Sequence, residues 1–124
     1  MNFSLEKNEH YTLLQTNLLG LVQAQVEELT EMVKQELSNG GAKYLIINFE
    51  SIKECNAAAV RELINLGKYL ATHKGMLIIS CMNDQFTRLL DKAEIIFVPS
   101  DMEAIDYIFM DQLEKQFLSD NSEN

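Results

Sequence analysis

His10 and His73 are the side chains of this chain that titrate near neutral pH without a special environment. Neither falls where a general base is useful. His10 lies in a turn between two short apolar runs. His73 ends a helix, where a positive imidazolium compensates the helix dipole. Open α/β sheets place their chemistry at the carboxyl ends of strands. At those places the sequence offers Glu50-Ser51, Asn83-Asp84 and Pro99-Ser100. Each pair reads as turn or cap chemistry, with Asp84 and Asp101 as acids in first helical turns. Cys55, next to a helix start, is a candidate reactive thiol, but a small residue in a tight loop is the favoured reading. No His/Cys/Asp cluster has zinc spacing. Gly40-Gly41 precedes a strand, whereas a phosphate loop follows a strand and opens a helix. The expectation is a chain that is not an enzyme and has no metal site and no cofactor.

What remains is a place for a partner to approach. Tyr44-Leu45-Ile46-Ile47-Asn48-Phe49 is a short apolar run with β-branched and aromatic residues, the pattern of a buried strand. After Glu50-Ser51-Ile52-Lys53-Glu54-Cys55 a helix opens at Asn56. The Asn56 side-chain oxygen is suited to accept an amide bond from the first turn. Ala57, Ala58 and Ala59 follow, then Val60. The helix therefore starts with almost no side chain over its free N–H groups.

The elements that hold this stretch follow from periodicity. Phe3 and Leu5 alternate with polar residues, and Tyr11 to Thr16 form a second run across a turn at Asn8-Glu9, which predicts a hairpin. Val22, Val26, Leu29, Val33 and Leu37 recur at helical spacing, and Ser38-Asn39-Gly40-Gly41 stops that helix. In the helix after Asn56, the apolar face is Val60, Leu63, Ile64, Gly67, Leu70 and Ala71. Gly67 costs helix stability and so marks a close helix–sheet approach. Met76 to Cys81 is a further strand. A short helix capped by Asn83 carries Phe86, Leu89 and Leu90, and Glu94 to Val98 is the last strand. Ser100 with Glu103 forms a capping box for a terminal helix bearing Ala104, Ile105, Ile108, Phe109 and Leu113, reaching Phe117 or Leu118.

The order ββαβαβαβα predicts a single α/β domain over residues 1–118. Its sheet is mixed, with the later strands parallel and joined by helical crossovers. Residues 119–124 have nothing to bury and are expected to be a disordered acidic tail.

A chain of 124 residues with 47% apolar content suits one core. Its 10 basic and 19 acidic residues give a formal net charge of -9. Such a surface repels phosphate backbones and anionic lipid, which argues against nucleic acid and membrane surfaces as partners. The start has no secretory pattern, no apolar run is long enough for a bilayer, and the two cysteines give a weak disulfide signal. The expected compartment is cytoplasmic.

The stretch from Tyr44 to Val60 resembles the signature of the STAS family, the domain of bacterial anti-sigma factor antagonists. In that family a strand ends Asp-Leu-Ser, a spacer with an aliphatic residue follows, and Asp-Ser-Ser/Thr-Gly-Leu opens a helix. Here Asn48-Phe49-Glu50 ends the strand, Ile52 takes the aliphatic place, and Asn56-Ala57-Ala58-Ala59-Val60 opens the helix. The later element order matches as well, including Lys74-Gly75-Met76-Leu77-Ile78-Ile79 after the second long helix.

The resemblance implies a regulatory protein-binding module whose partner is a kinase-like anti-sigma factor or a related regulator. In such members the second Ser/Thr of the motif is phosphorylated by the partner kinase, which breaks the complex. Ala58 occupies that place and Ala57 the one before, so neither can receive a phosphate with its roughly two negative charges. The implied partner surface is Cys55, Asn56, Ala57, Ala58, Ala59 and Val60, used without this switch. An alternative implied by the family is an accessory subunit of a transporter ATPase or of a signalling assembly. Nucleotide binding at the bare helix start is a third reading, unsupported by any glycine-rich loop.

Overall fold

A computed structural model of the chain describes residues 3–90 and 93–122. Strands β1 (Phe3–Lys7) and β2 (Thr12–Thr16) form the antiparallel hairpin that their alternation predicts. The Asn8 side-chain oxygen closes the turn by accepting from the His10 and Tyr11 amides. The two-residue strand β3 (Gly20–Leu21) precedes helix α1 (Gln23–Ser38). Then come β4 (Tyr44–Asn48), β5 (Glu54–Cys55), α2 (Ala57–Thr72), β6 (Met76–Ser80), α3 (Asp84–Leu89), β7 (Ile95–Val98) and α4 (Asp101–Ser122). The main sheet runs β1-β2-β4-β6-β7, parallel from β2 onward, and this mixed α/β sheet is the expected fold class.

The central strands are buried on both faces because helices cover both. Leu45, Ile47, Leu77 and Ile79 point into a core with Val26, Leu29 and Val33 of α1 and Leu63, Leu66 and Leu70 of α2. Tyr44, Ile46 and Ile78 point the other way, against Ala104 and Ile108 of α4. Gly67 lets α2 meet β7: a Cβ there would lie 2.8 Å from the Glu94 carbonyl oxygen. Phe86 and Leu89 have side chains outside the described residues, while Leu90 is buried in the first core.

Helices α1 and α2 end in the same motif. Gly40 and Gly41 donate to the Leu37 and Glu36 carbonyls, and Lys74 and Gly75 donate to Ala71 and Leu70. The left-handed residue is Gly40 (φ 77) in α1 but Lys74 (φ 64) in α2.

Three sequence expectations change. Two short parallel strands, β3 and β5, pair in a separate sheet and are absent from the expected order. In α4 the sheet covers Ala104 and Ile108, but Phe109, Leu113, Phe117 and Leu118 stay exposed. The helix carries apolar residues on more than one face, and periodicity does not say which face meets the sheet. Finally, α4 continues to Ser122, so residues 119–122 are helical where a disordered tail was expected. No glycine or proline stops the helix there, and each added residue gains a backbone bond. Residues 123 and 124 lie outside the described residues.

A polar clamp holds α4 to the amino-terminal edge of the sheet. The Tyr44 hydroxyl donates to Asp111 (2.8 Å), and the Lys115 ammonium reaches Asp111 (3.0 Å) and the Lys74 carbonyl (2.9 Å). Burial first, then the bond to Asp111, raises the Tyr44 pKa. Burial acts to lower the Lys115 pKa, but its bonds to Asp111 and Tyr44 outweigh this and raise it. Both raised values mean stability that is complete below about pH 10 and lost as pH rises through them. Lys115→Met is expected to cost about 0.5–1 kcal/mol at pH 7, because the pair is partly exposed. The loss should shrink above about pH 10.5, where the ammonium titrates; urea unfolding at the two pH values measures it.

Candidate functional site

The loop after β4 is held from beneath. Phe49 and Ile52 are 1% exposed and anchor it in the core, with Ile52 at the aliphatic place the sequence marks. From the side, the Lys53 and Glu54 amides donate to the Leu19 carbonyl at 2.7 and 3.2 Å, and β5 pairs with β3. This lattice of backbone bonds delivers the chain to Asn56 in an extended conformation. The Asn56 side chain then accepts from the Ala59 amide at 2.8 Å, the cap the sequence predicts.

The six sequence-marked residues do not share one environment. Asn56 and Ala57 are exposed, Cys55, Ala58 and Val60 are half-buried, and Ala59 is fully buried. The Ala59 side chain therefore supports the helix from inside and is out of a partner's reach. Burial pushes the Cys55 thiol up to about 11, so it is protonated at neutral pH and a poor nucleophile.

The structure adds two residues to this surface. Leu19 is 70% exposed and Val22 is 47% exposed, and they flank β3 on either side. In the β3–β5 pairing Val22 follows the residue bonded to the Asn56 amide, beside the start of α2, while Leu19 stands opposite Lys53 further along the same edge. The exposed apolar side chains here are Val22, Ala57 and part of Ala58 at the helix end, with Leu19 on the β3–β5 edge leading to it. Sequence periodicity assigned Val22 to the buried stripe of α1. It is instead the N-cap residue, and its own amide donates to the Gln25 side chain at 3.0 Å.

A second group of side chains meets at the carboxyl edge of the sheet. Asp101, in the first turn of α4, accepts from the Asn48 amide group at 3.0 and 3.1 Å and from the Ser80 hydroxyl. Gln15 approaches the same carboxylate at 3.4 Å. Asn48 also accepts from the Glu50 amide at 2.8 Å, which turns the chain out of β4. Cys81 sits alongside in a left-handed conformation (φ 58), its pKa raised by burial and then by Asp101. Asp101 joins β4, β6 and α4 at one point, and its acceptor capacity is spent on these bonds. The group is a structural lock.

Beside it is an open hollow of about 310 Å³ lined by Gln15, Thr16, Asn48, Glu50 and Ser51. The Ser51 hydroxyl lies 2.9 Å from the Thr16 carbonyl and 2.7 Å from the Leu18 carbonyl and shares its proton between them. A phosphate on Ser51 would remove the proton these two carbonyls share. Among the described residues, no group of His, Cys, Asp and Glu is placed to hold a metal ion, and no helix is long and apolar enough to cross a membrane.

Several solved structures share this architecture. The anti-sigma factor antagonist SpoIIAA in its unphosphorylated form superposes with a TM-score of 0.70 at 19% identity, covering 86% of this chain and 96% of that one. A putative anti-sigma factor antagonist from Thermotoga maritima gives 0.69 at 16% identity, covering 86% and 93%. The murine anion transporter Slc26a9 gives 0.63 at 10% identity, covering 85% of this chain and 18% of that one. At these identities the likeness is one of fold. No curated protein sequence gives a significant match. The family profile described as STAS domain matches residues 18–110, most of the chain and all of the loop and helix start built above; the chain belongs to the STAS domain family.

Proposed function

We propose that this chain is a non-catalytic regulatory module that binds another protein through the β3–β5 edge and the first turn of α2, in the cytoplasm. The observation that carries this reading is the exposure of Leu19, Val22, Ala57 and part of Ala58 around one rigid helix start. Exposed apolar side chains gathered on one edge of a small acidic domain fit a contact site. The partner class is a kinase-like anti-sigma factor or a related regulator, by analogy with the antagonists that share the fold. Ala57 and Ala58 lack hydroxyls, so the contact is made without phosphorylation at this helix start.

A second reading is an accessory unit of a larger assembly. The fold likeness to part of an anion transporter supports it, and so does the missing hydroxyl. The same surface serves both readings, and the identity of the captured protein separates them.

Proteins retained by the wild-type chain should be compared with those retained by Ala58→Glu. A charge forced into a desolvated interface costs several kcal/mol. The expected result is at least one protein held by the wild type and reduced about a hundredfold, or about 2.8 kcal/mol, with the variant. Equal retention overturns the assignment of this surface. Incubation with a captured kinase should leave residues 56–60 without phosphate, as read by mass spectrometry.

A further inference from the structure

Helix α4 presents a second apolar surface. Met102, Phe109, Leu113 and Phe117 are 76%, 40%, 63% and 65% exposed, and their spacing puts them on one face. The stripe is about 22 Å long at 1.5 Å per residue. Met110, 68% exposed, widens it. The helix packs on the sheet through a different face, Ala104 and Ile108, so the stripe plays no part in the core. Its middle touches the β1–β2 turn, where the His10 ring meets Phe109 at 5.1 Å. Leu113 and Phe117 lie beyond the residues 18–110 matched by the family.

Charge decides what covers this face. Between Asp101 and Leu118 the helix has five acidic residues and one base, Lys115. Lys115 is turned to the sheet edge, bound to Asp111 and the Lys74 carbonyl. Asp101 and Asp111 are likewise held by sheet partners. Glu103, Asp106 and Glu114 are exposed and, among the described residues, unpaired by any cation. Glu103 and Glu114 line one side of the stripe and Asp106 lies within it, between Met102 and Met110, so the face carries uncompensated acidic charge. A second copy of the chain, at net charge -9, would set like charges against it, and anionic lipid would be repelled.

We propose that the exposed face of α4 docks a basic amphipathic helix of another protein, with apolar residues on the stripe and Lys or Arg against Glu103, Asp106 and Glu114. This surface is separate from the α2 helix start, and the two can be disabled independently.

The probe is a synthetic peptide of roughly 18 residues, five helical turns, with Leu on one face and Lys on the other, titrated into the full chain by calorimetry. Its isomer with Glu for Lys is the charge control. The expected result is saturable binding of one Lys peptide per chain, weakened by salt. Leu113→Glu with Phe117→Glu should weaken binding at least about tenfold. Glu103→Lys with Asp106→Lys and Glu114→Lys should do the same with the stripe intact. Leu113, Phe117, Asp106 and Glu114 are exposed, so their changes should leave the melting temperature unaltered; Glu103→Lys also removes an acid from the first turn of α4, so a small fall is expected of the triple variant, and Asp106→Lys with Glu114→Lys is its folding control. Ala58→Glu should bind the peptide normally, which keeps this test apart from that of the α2 surface. Unchanged binding by the double variant, or equal binding of the Glu isomer, overturns the proposal. So does a wild-type dimer in sedimentation that Leu113→Glu with Phe117→Glu dissociates, which assigns the face to a second copy. Wild-type co-pelleting with anionic phospholipid vesicles, lost in the double variant, also overturns it.

Discussion

Gly75→Ala is expected to lower the stability of the chain by about 3 kcal/mol, with a fall in melting temperature of about 10 °C. A Cβ at this position would lie 2.0 Å from the Lys43 carbonyl oxygen, and 2.8 Å from the Lys43 carbonyl carbon. The obstacle is backbone at the entrance to β4, so no side-chain rotation relieves it. That carbonyl also accepts the Met76 amide, the bond that starts β6 beside β4. Moving the Lys43 carbonyl away therefore breaks the first link of the central parallel pair. Gly40→Ala is the informative comparison. Nothing lies within 4 Å of its added Cβ, and only its φ of 77° is unfavourable. The expected cost there is about 1 kcal/mol. Equal losses in the two variants, measured by urea unfolding, would remove close packing as the reason for Gly75.

The second large effect belongs to the sheet-edge lock. Asp101→Ala removes the acceptor of the Asn48 amide group and of the Ser80 hydroxyl, and Ser80 is completely buried. A buried donor without a partner costs about 1–3 kcal/mol, and bonds to a charged acceptor are at the upper end. The expected loss is about 3 kcal/mol at pH 7. Asn48→Asp probes the same lock from the other side. It sets a carboxylate against Asp101 in place of an amide that donates to it. Two carboxylates at such a distance cannot both ionise freely, so one folded-state pKa rises above its unfolded value near 3.9. The destabilisation is then full at neutral pH and relieved as pH falls through the raised pKa to about 4. Unfolding titrations between pH 4 and 7 test the sign; a loss independent of pH would show that shape, not charge, is what Asn48 supplies. Where the family pattern places aspartate at the strand end, this chain has the amide its own Asp101 requires.

The two surfaces were unequally legible in the sequence. At α2 the cap residue, the bare alanines and the missing hydroxyls could be read directly, because capping and modification depend on residue type at a local position. Leu19 and Val22 could not. They are exposed because a two-residue pairing, too short for any periodicity, pulls β3 against β5. Ala59, next to Ala58 and chemically identical, is buried because the turn of the helix points it inward. Along α4 the apolar residues were visible, but their division between core and surface was not. The sheet selects the Ala104 and Ile108 face through the Tyr44–Asp111–Lys115 clamp.

By itself the sequence determined the order of the longer elements, the hairpin, the caps at Asn56 and Ser100, and the absence of a hydroxyl at Ala57 and Ala58. These follow from short-range rules: side-chain period, backbone preference and the presence or absence of a functional group. Only the tertiary structure decided that Asn48, Ser80 and Asp101 meet, that Gly75 touches Lys43, and that Phe109, Leu113 and Phe117 face outward. Each of these joins residues far apart in the chain or selects one helix face over another. The physical reason is that burial is shared between elements: which face of a helix is covered depends on the surface it packs against, and no local pattern specifies that surface.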